Sequence, residues 1–270
     1  MMIKRIQSFE EYEDFIHRLS HHPLYSDPHF THNKNNLYNA VKKNDEYAFA
    51  VLDHDRIEGL FVWLILPGEQ FIEMLIGFTE NTAAFSEMLL YMEKNYPGFQ
   101  MDFVFNPRNP VIRRQLEMKG AKFETEQQKM QQKKALPDIS TECIELLSER
   151  WEDQYCRLHR KETYWTAERI LTAQDRFRVL LAIRDGSVQG YLDVTRCHAE
   201  NEIYDLFVKP EASRQGYGLA MLVKAVELNK PHQMMVLVDV DAEEEIQLYT
   251  EAGFEILEGY NSVLASYRTR

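Results

Sequence analysis

Residues 201–222 read NEIYDLFVKPEASRQGYGLAML. Ile203, Leu206, Phe207 and Val208 form a short apolar run, the pattern of a strand buried on both faces. Pro210 opens a turn. Beyond the loop, Leu219, Leu222, Val223 and Val226 fall at i, i+3, i+4 and i+7, one apolar helix face, and Pro231 follows the helix end. The loop from Arg214 to Gly218 therefore lies at a helix N-terminus, where backbone N–H groups are unpaired and a partial positive charge resides. Two glycines, Gly216 and Gly218, let an anion approach that backbone, which makes a phosphate site. The same pattern also fits a tight turn whose glycines serve only backbone geometry. A dinucleotide fingerprint needs a further glycine where Met221 stands. The Gly-Lys-Ser/Thr of a Walker loop is absent.

Composition sets the bounds. The chain has 270 residues, enough for two ordinary domains, with 44% hydrophobic and 27% charged residues. No apolar run approaches the ~20 residues needed to span a bilayer, and the start MMIKRIQ lacks a signal-peptide core. The three cysteines, Cys143, Cys156 and Cys197, are too far apart for a paired metal motif and suit reduced thiols in a cytoplasm. Net charge is −12, with 16 basic and 19 acidic residues up to position 135 and 15 and 24 beyond it. The acidic excess thus lies with the glycine loop, which disfavours nucleic acid and favours cationic ligands such as amines. His17, His21, His22, His29 and His32 cluster early in the chain but lack metal-ligand spacing, so no metal is expected.

V-x-P-x5-G-x-G at Val208–Gly218, preceded by E-I-x-x-L-x-V from Glu202, resembles the acyl-CoA loop of the GNAT superfamily of N-acetyltransferases. Leu248-Tyr249-Thr250-Glu251-Ala252-Gly253-Phe254 resembles that family's second signature, L-Y-x-x-x-G-F. The likeness covers roughly 179–254. It departs at Ser213, where the family usually carries Arg or Gln, and at Ala242, where an Asn is common. The resemblance implies acetyl-CoA as cofactor. Arg214, Gln215, Gly216, Tyr217, Gly218 and Leu219 would hold its diphosphate, and the backbone of Leu206, Phe207 and Val208 its pantetheine arm.

The chain's order supports a tandem arrangement. Strands are expected at 47–52, 57–66, 71–78 and 101–105, with helices over 8–20, from 82 to about 96, and from Pro110 to Gly120. The polar run QQKMQQKK, 127–134, followed by Pro137, reads as a linker and sets a boundary near residue 135. The second half repeats the order: helices within 148–160 and 166–174, strands at 177–183, 188–197, 203–208 and 234–240, and a helix begun by Asp241 with Glu244 as a capping box. Turns at 53–55 and 184–186 and glycines at 120 and 253 are offset by about one domain length. The expected fold is α/β (α+β): two tandem GNAT-like domains, each a mixed, mostly antiparallel sheet flanked by helices. Residues 1–135 form a degenerate copy, with Thr79-Glu80-Asn81-Thr82 in place of the glycine loop and no tyrosine in Leu116–Gly120. Residues 136–270 form the cofactor-binding copy.

Acyl transfer to an amine needs a base for the ammonium and an acid for the departing thiolate. Glu202, six residues before Val208, matches a position where family members carry a catalytic glutamate; Asp205 is the rival, and a solvated strand-end charge the plain alternative. Tyr249 is the expected acid, although its place with Ala242 and Ile246 on an apolar face also suits a core tyrosine. Glu162, Tyr164, Trp165 and Glu168 lie where the family lines its acceptor pocket, and Tyr164 and Trp165 are taken as substrate residues. The sequence reading is a cytoplasmic N-acetyltransferase, monomer or homodimer, acting on a small-molecule or peptide amine, with no nucleic acid or membrane partner. A non-catalytic acyl-CoA sensor and an aminoacyl-tRNA-dependent transferase are the rival readings.

Overall fold

The computed structural model describes residues 1–161, 163 and 165–270. In chain order its elements are β1 (Met2–Ile6), α1 (Glu13–Ser20), α2 (Pro28–His32), α3 (Asn35–Tyr38), β2 (Glu46–Asp53), β3 (Arg56–Leu66), β4 (Phe71–Thr79), α4 (Thr82–Asn95), β5 (Gln100–Phe105), α5 (Pro110–Met118), β6 (Lys122–Phe123) and β7 (Gln127–Gln132). They continue with β8 (Ile144–Leu146), α6 (Glu152–Leu158), α7 (Ala167–Thr172), β9 (Phe177–Arg184), β10 (Ser187–Thr195), β11 (Glu200–Val208), α8 (Tyr217–Asn229), β12 (Gln233–Asp239), α9 (Glu243–Glu251), β13 (Phe254–Ile256) and β14 (Val263–Arg268).

Two compact units result, one of Met1–Gln127 with Glu258–Arg270, the other of Gln128–Leu257. Each is a mixed seven-stranded sheet flanked by helices, as expected of two copies of one fold. The first sheet runs β1-β2-β3-β4-β5-β14-β6 and the second β13-β7-β12-β11-β10-β9-β8. Each contains a parallel pair of neighbours: β4 with β5 in the first, β11 with β12 in the second.

The polar run 127–134 is therefore not a linker, and the boundary near residue 135 moves. Its first six residues are β7, an inner strand of the second sheet between β13 and β12. Polarity misleads here because the polar groups are satisfied inside. Lys129 is 5% exposed, and its ammonium lies 2.6 Å from the Glu200 carboxylate. The last thirteen residues return to the first unit, where β14 pairs antiparallel with β5 and β6.

In the first unit, Phe61, Trp63, Phe85, Met88 and Phe103 build the core under α4 and α5, while Phe15, Ile16, Leu19, Phe30 and Phe78 fill the face covered by α1 and α2. In the second, Leu180, Leu192, Met221, Leu222 and Val236 pack under α8, and Trp151, Tyr155, Ile170, Leu181 and Tyr191 under α6 and α7. One local expectation changes. Ala242, not Asp241, occupies the N-cap of α9, and no side chain caps that helix. Asp241 contributes only its backbone carbonyl, to the Glu243 N–H at 3.0 Å.

Candidate active site

β11 and β12 pair in parallel from Glu200–Gln233 to Ile203–Val236, and the pairing stops there. β11 runs on to Val208 and β12 to Asp239, so the two strands part and leave a slot between them. On its other side β11 pairs with β10, with a bulge that leaves Tyr204 unmatched between Ile203 and Asp205. Tyr204 and Asp205, the residues at the bulge, both have partners for their side chains. The Tyr204 hydroxyl accepts from the Trp165 N–H at 3.3 Å, and Asp205 accepts from the Tyr191 hydroxyl at 2.6 Å.

Eight residues separate β11 from α8. Gly216 is the N-cap of α8 at φ 80°, and no side chain caps the helix. The Ala220 N–H returns to the Gly216 carbonyl at 2.9 Å, so the amides of Tyr217, Gly218 and Leu219 precede the first intrahelical bond and lack helical partners. A cavity of about 560 Å³ adjoins them, lined by Leu206, Phe207 and Val208 of β11, by Ser213, Arg214, Gly216 to Leu219, by Leu248 of α9 and by Arg160. The loop and strand residues expected to hold a cofactor thus share one cavity wall, except Gln215, whose side chain accepts from Arg184 at 2.6 Å. Gly190 makes the close strand packing possible, because a Cβ there would sit 2.5 Å from the Phe207 carbonyl oxygen.

Asp193 and Asp205 stand directly opposite each other on β10 and β11, both buried. Two facing carboxylates repel, so each needs donors. Asp193 accepts from the Tyr155 hydroxyl and pairs with His159 Nε2, both at 2.9 Å. Burial raises the Asp193 pKa, against the pull of His159. For His159, burial opposes the charged ring, but hydrogen bonds to Asp193 and to the Arg160 carbonyl outweigh it and the pKa rises. Asp205 takes the Tyr191 hydroxyl and the Arg160 guanidinium through both of its oxygens. The atoms of His159, Asp193 and Asp205 lie within 4.8 Å of one another, as metal ligands could. Here the carboxylates are already engaged by tyrosine hydroxyls, His159 and Arg160, and the His159 ring by Asp193.

Tyr249 on α9 is 5% exposed and packs edge-on against Phe254, ring centroids 5.8 Å apart. Burial pushes its phenol above the ordinary value, Glu245 and Asp205 add to this, and Arg160 pulls the other way. Glu202 is half-buried, with its N–H donating to Thr195 Oγ1 at 2.7 Å. Trp165 packs on Phe177 at 4.8 Å, and the Arg176 guanidinium lies 5.0 Å from its ring centre. Tyr164 and Glu162 lie outside the described residues.

Residues 175–256 match the family model described as "Acetyltransferase (GNAT) domain". This match lies within the second unit. The chain superposes on a GCN5-related N-acetyltransferase from Sphaerobacter thermophilus with TM-score 0.66 and 12% identity, over 88% of this chain and 85% of that one. It also superposes on a tandem GNAT protein from the clavulanic acid biosynthesis pathway with TM-score 0.60 and 10% identity, over 100% and 98%. No protein of curated function matches the sequence. At such identities the likeness is one of fold, and the fold is that of two tandem GNAT-like domains.

The first GNAT-like unit keeps the slot but fills it. β4 and β5 pair in parallel from Phe71–Gln100 to Met74–Phe103, then stop. Only Glu80 and Asn81 separate β4 from α4. Asn81 caps that helix with its own side chain, accepting from the N–H groups of Ala83 and Ala84 at 2.9 and 3.3 Å. The buried Asp27 carboxylate accepts from the Gly77 N–H at 2.9 Å, and His29 Nδ1 lies 2.6 Å from the Leu75 carbonyl. In the first unit, side chains of the protein itself thus take backbone groups of the slot and of the helix start.

Sequence reasoning missed Arg160, Tyr191, Asp193 and Asp27. One signal was present: Asp193 interrupts the apolar run Tyr191-Leu192-Asp193-Val194, and an acid inside a buried strand needs a partner.

Proposed function

We propose that the protein is an acetyl-CoA-dependent N-acetyltransferase, that its second unit holds the cofactor and performs the transfer, and that the acceptor is the amine of a small molecule or peptide. The observation that carries this reading is the uncapped start of α8 beside a 560 Å³ cavity that is also lined by Leu206, Phe207 and Val208, the end of β11 beyond its pairing with β12. Unpaired helix amides and the dipole attract a diphosphate. Free strand groups hydrogen-bond an amide-bearing arm as a neighbouring strand would. The residues present therefore fit coenzyme A. Arg214 adds a positive charge, and the glutamates Glu244, Glu245 and Glu251 on the α9 side oppose it.

Acetyl-CoA supplies the acyl group as an activated thioester. Glu202, half-buried on β11, takes the ammonium proton through water. Asp205 is less suited to this role, because both its oxygens are occupied by Arg160 and Tyr191. Tyr249 returns a proton to sulfur. Trp165, fixed on Phe177, and Tyr164 belong to the acceptor side. The first unit is a degenerate copy that does not bind cofactor. The net charge of −12 favours a cationic acceptor over nucleic acid.

Two measurements on the full chain test this. Acetyl-CoA raises the melting temperature of the parent, and Gly216→Asp, which sets a carboxylate among the free amides, abolishes the rise. Thiol release against a panel of amines then identifies the acceptor. Binding with no release from any amine would leave an acyl-CoA sensor, and no binding at all would end both readings.

A further inference from the structure

The 560 Å³ cavity has two ends. One is the start of α8. The other, reached along β11 from Val208 to Leu206, is Arg160, whose Nη2 lies 3.3 Å from the Leu206 carbonyl. Arg160 is not a loose surface arginine. Its Nε and Nη2 grip the buried Asp205 carboxylate, Nε at 3.3 Å, and its backbone N–H donates to the Tyr191 hydroxyl at 3.2 Å. The Tyr191 hydroxyl in turn donates to Asp205. Asp205 is almost wholly buried at its side chain, while half of the Arg160 side chain is open. The carboxylate therefore engages the Nε–Nη2 edge, and the two N–H donors of Nη1 lie outside that pair on a half-exposed side chain that lines the cavity. No described residue accepts from Nη1. A guanidinium seated in this way costs little further ordering when it takes up a charge.

We propose that Arg160 is a catalytic residue of the second unit, its outward guanidinium edge taking up the negative charge that forms on the sulfur of the acyl donor. This rests on the acyl-CoA reading above. The amine nitrogen forms the new bond to the acyl carbon, and the carbon–sulfur bond breaks with its electron pair going to sulfur. Glu202 accepts the proton that nitrogen loses. Arg160 holds the sulfur as thiolate, and a proton from water reaches it through Tyr249 as coenzyme A leaves the cation. The need for such a partner follows from Tyr249 itself. A phenol is already a weaker acid than a thiol, and burial weakens this one further. Proton donation unaided would run uphill, whereas a fixed cation lets the thiolate form first.

The test reads the acidity of the coenzyme A thiol bound to the full-length protein, from thiolate ultraviolet absorbance against pH, together with coenzyme A affinity. A cation in contact with an acid lowers its midpoint by about one unit or more, and the lower figure applies where a counter-ion such as Asp205 partly neutralises the cation. The parent should therefore show a midpoint about one unit below that of free coenzyme A. Arg160→Gln should return it to the free value with affinity changed no more than about threefold, because the diphosphate end is untouched. Arg160→Lys, which keeps charge and most of the packing, should fall between. An unshifted midpoint with coenzyme A bound to the parent, or the same midpoint in parent and Arg160→Gln, overturns the assignment while leaving the acyl-CoA reading standing. Failure of the parent to bind coenzyme A removes both, and the affinity measurement separates that result from the others.

Discussion

A fragment cut where the sequence suggests a domain boundary, 136–270, should fail to fold, whereas 128–257 should fold. The difference is β7 and the segment just after it. Residues 127–132 lie between β13 and β12, and their loss removes Met130, which is fully buried, at about 2 kcal/mol. Loss of Lys129 leaves Glu200 without the ammonium that neutralises it. Removing one partner of a buried pair costs about 3–5 kcal/mol, and the lower value applies because 19% of the Glu200 side chain still reaches water. The total is about 5 kcal/mol before the backbone bonds to β13 are counted. Small domains have only about 5–15 kcal/mol to lose. The longer fragment also carries β14 away from β5 and β6, its partners in the first unit. Urea titration followed by near-ultraviolet dichroism distinguishes the two fragments: 128–257 should unfold in one cooperative step, and 136–270 should show none. Cooperative unfolding of 136–270 at the midpoint of 128–257 would refute the reasoning, because β7 would then contribute nothing.

Four further outcomes are expected. Tyr249→Phe should slow turnover about tenfold or more with coenzyme A affinity unchanged, measured by thiol release and calorimetry; equal rates would remove the hydroxyl from the mechanism. Glu202→Gln should flatten the acidic limb of the rate–pH profile, and an unaltered limb would show that the base lies elsewhere. Gly190→Ala should destabilise the chain by about 1–3 kcal/mol and weaken coenzyme A binding, because the added carbon meets backbone of β11 at 2.5 Å; Val208→Ala in the same chain should not rescue it, since the nearest atom is the Phe207 carbonyl oxygen. Burial raises the Asp27 pKa to about 6, against smaller opposing contributions from His29 and backbone N–H groups. The folded state then holds the proton more tightly than the unfolded chain, so Asp27 lowers stability as pH rises through about 6, by roughly 3 kcal/mol in full. The difference in unfolding free energy between parent and Asp27→Asn should accordingly change between pH 4 and pH 7 (roughly the span of the two pKa values), and a difference constant with pH would refute it.

What the sequence made legible was local. The loop–helix unit at 208–226 follows from apolar spacing, one proline and two glycines, all within a few turns of chain. The strand–turn–strand pairs around residues 54 and 185 follow for the same reason, as do the helix starts at Asn81 and Asn109, whose side chains cap the following amides. What was not legible depends on partners far along the chain. Lys129 meets Glu200 71 positions away, and Arg160 meets Asp205 45 positions away. No period or composition encodes those meetings. A polar strand whose charges are matched inside the fold has the composition of a linker, and β7 was misread accordingly. The choice of β14 for the first sheet is likewise set by pairing with β5, not by any feature of 263–268 that would distinguish it from a strand of the second sheet.

The two slots also show why one fold does not settle one function. Both units part a parallel strand pair after four residues on each strand, so both expose backbone donors and acceptors that cannot stay unsatisfied if buried. In the first unit Asp27 and His29 meet the backbone of Gly77 and Leu75, and Asn81 meets the helix start. The six-residue deficit between β4 and α4 leaves no loop to hold a diphosphate. In the second unit the helix start faces a cavity instead, and Arg160, which donates to the Leu206 carbonyl, lines that cavity. Whether a GNAT-like slot can take a ligand is therefore decided by which groups already satisfy its backbone. By that measure the second unit has room for a ligand, and the first has supplied its own.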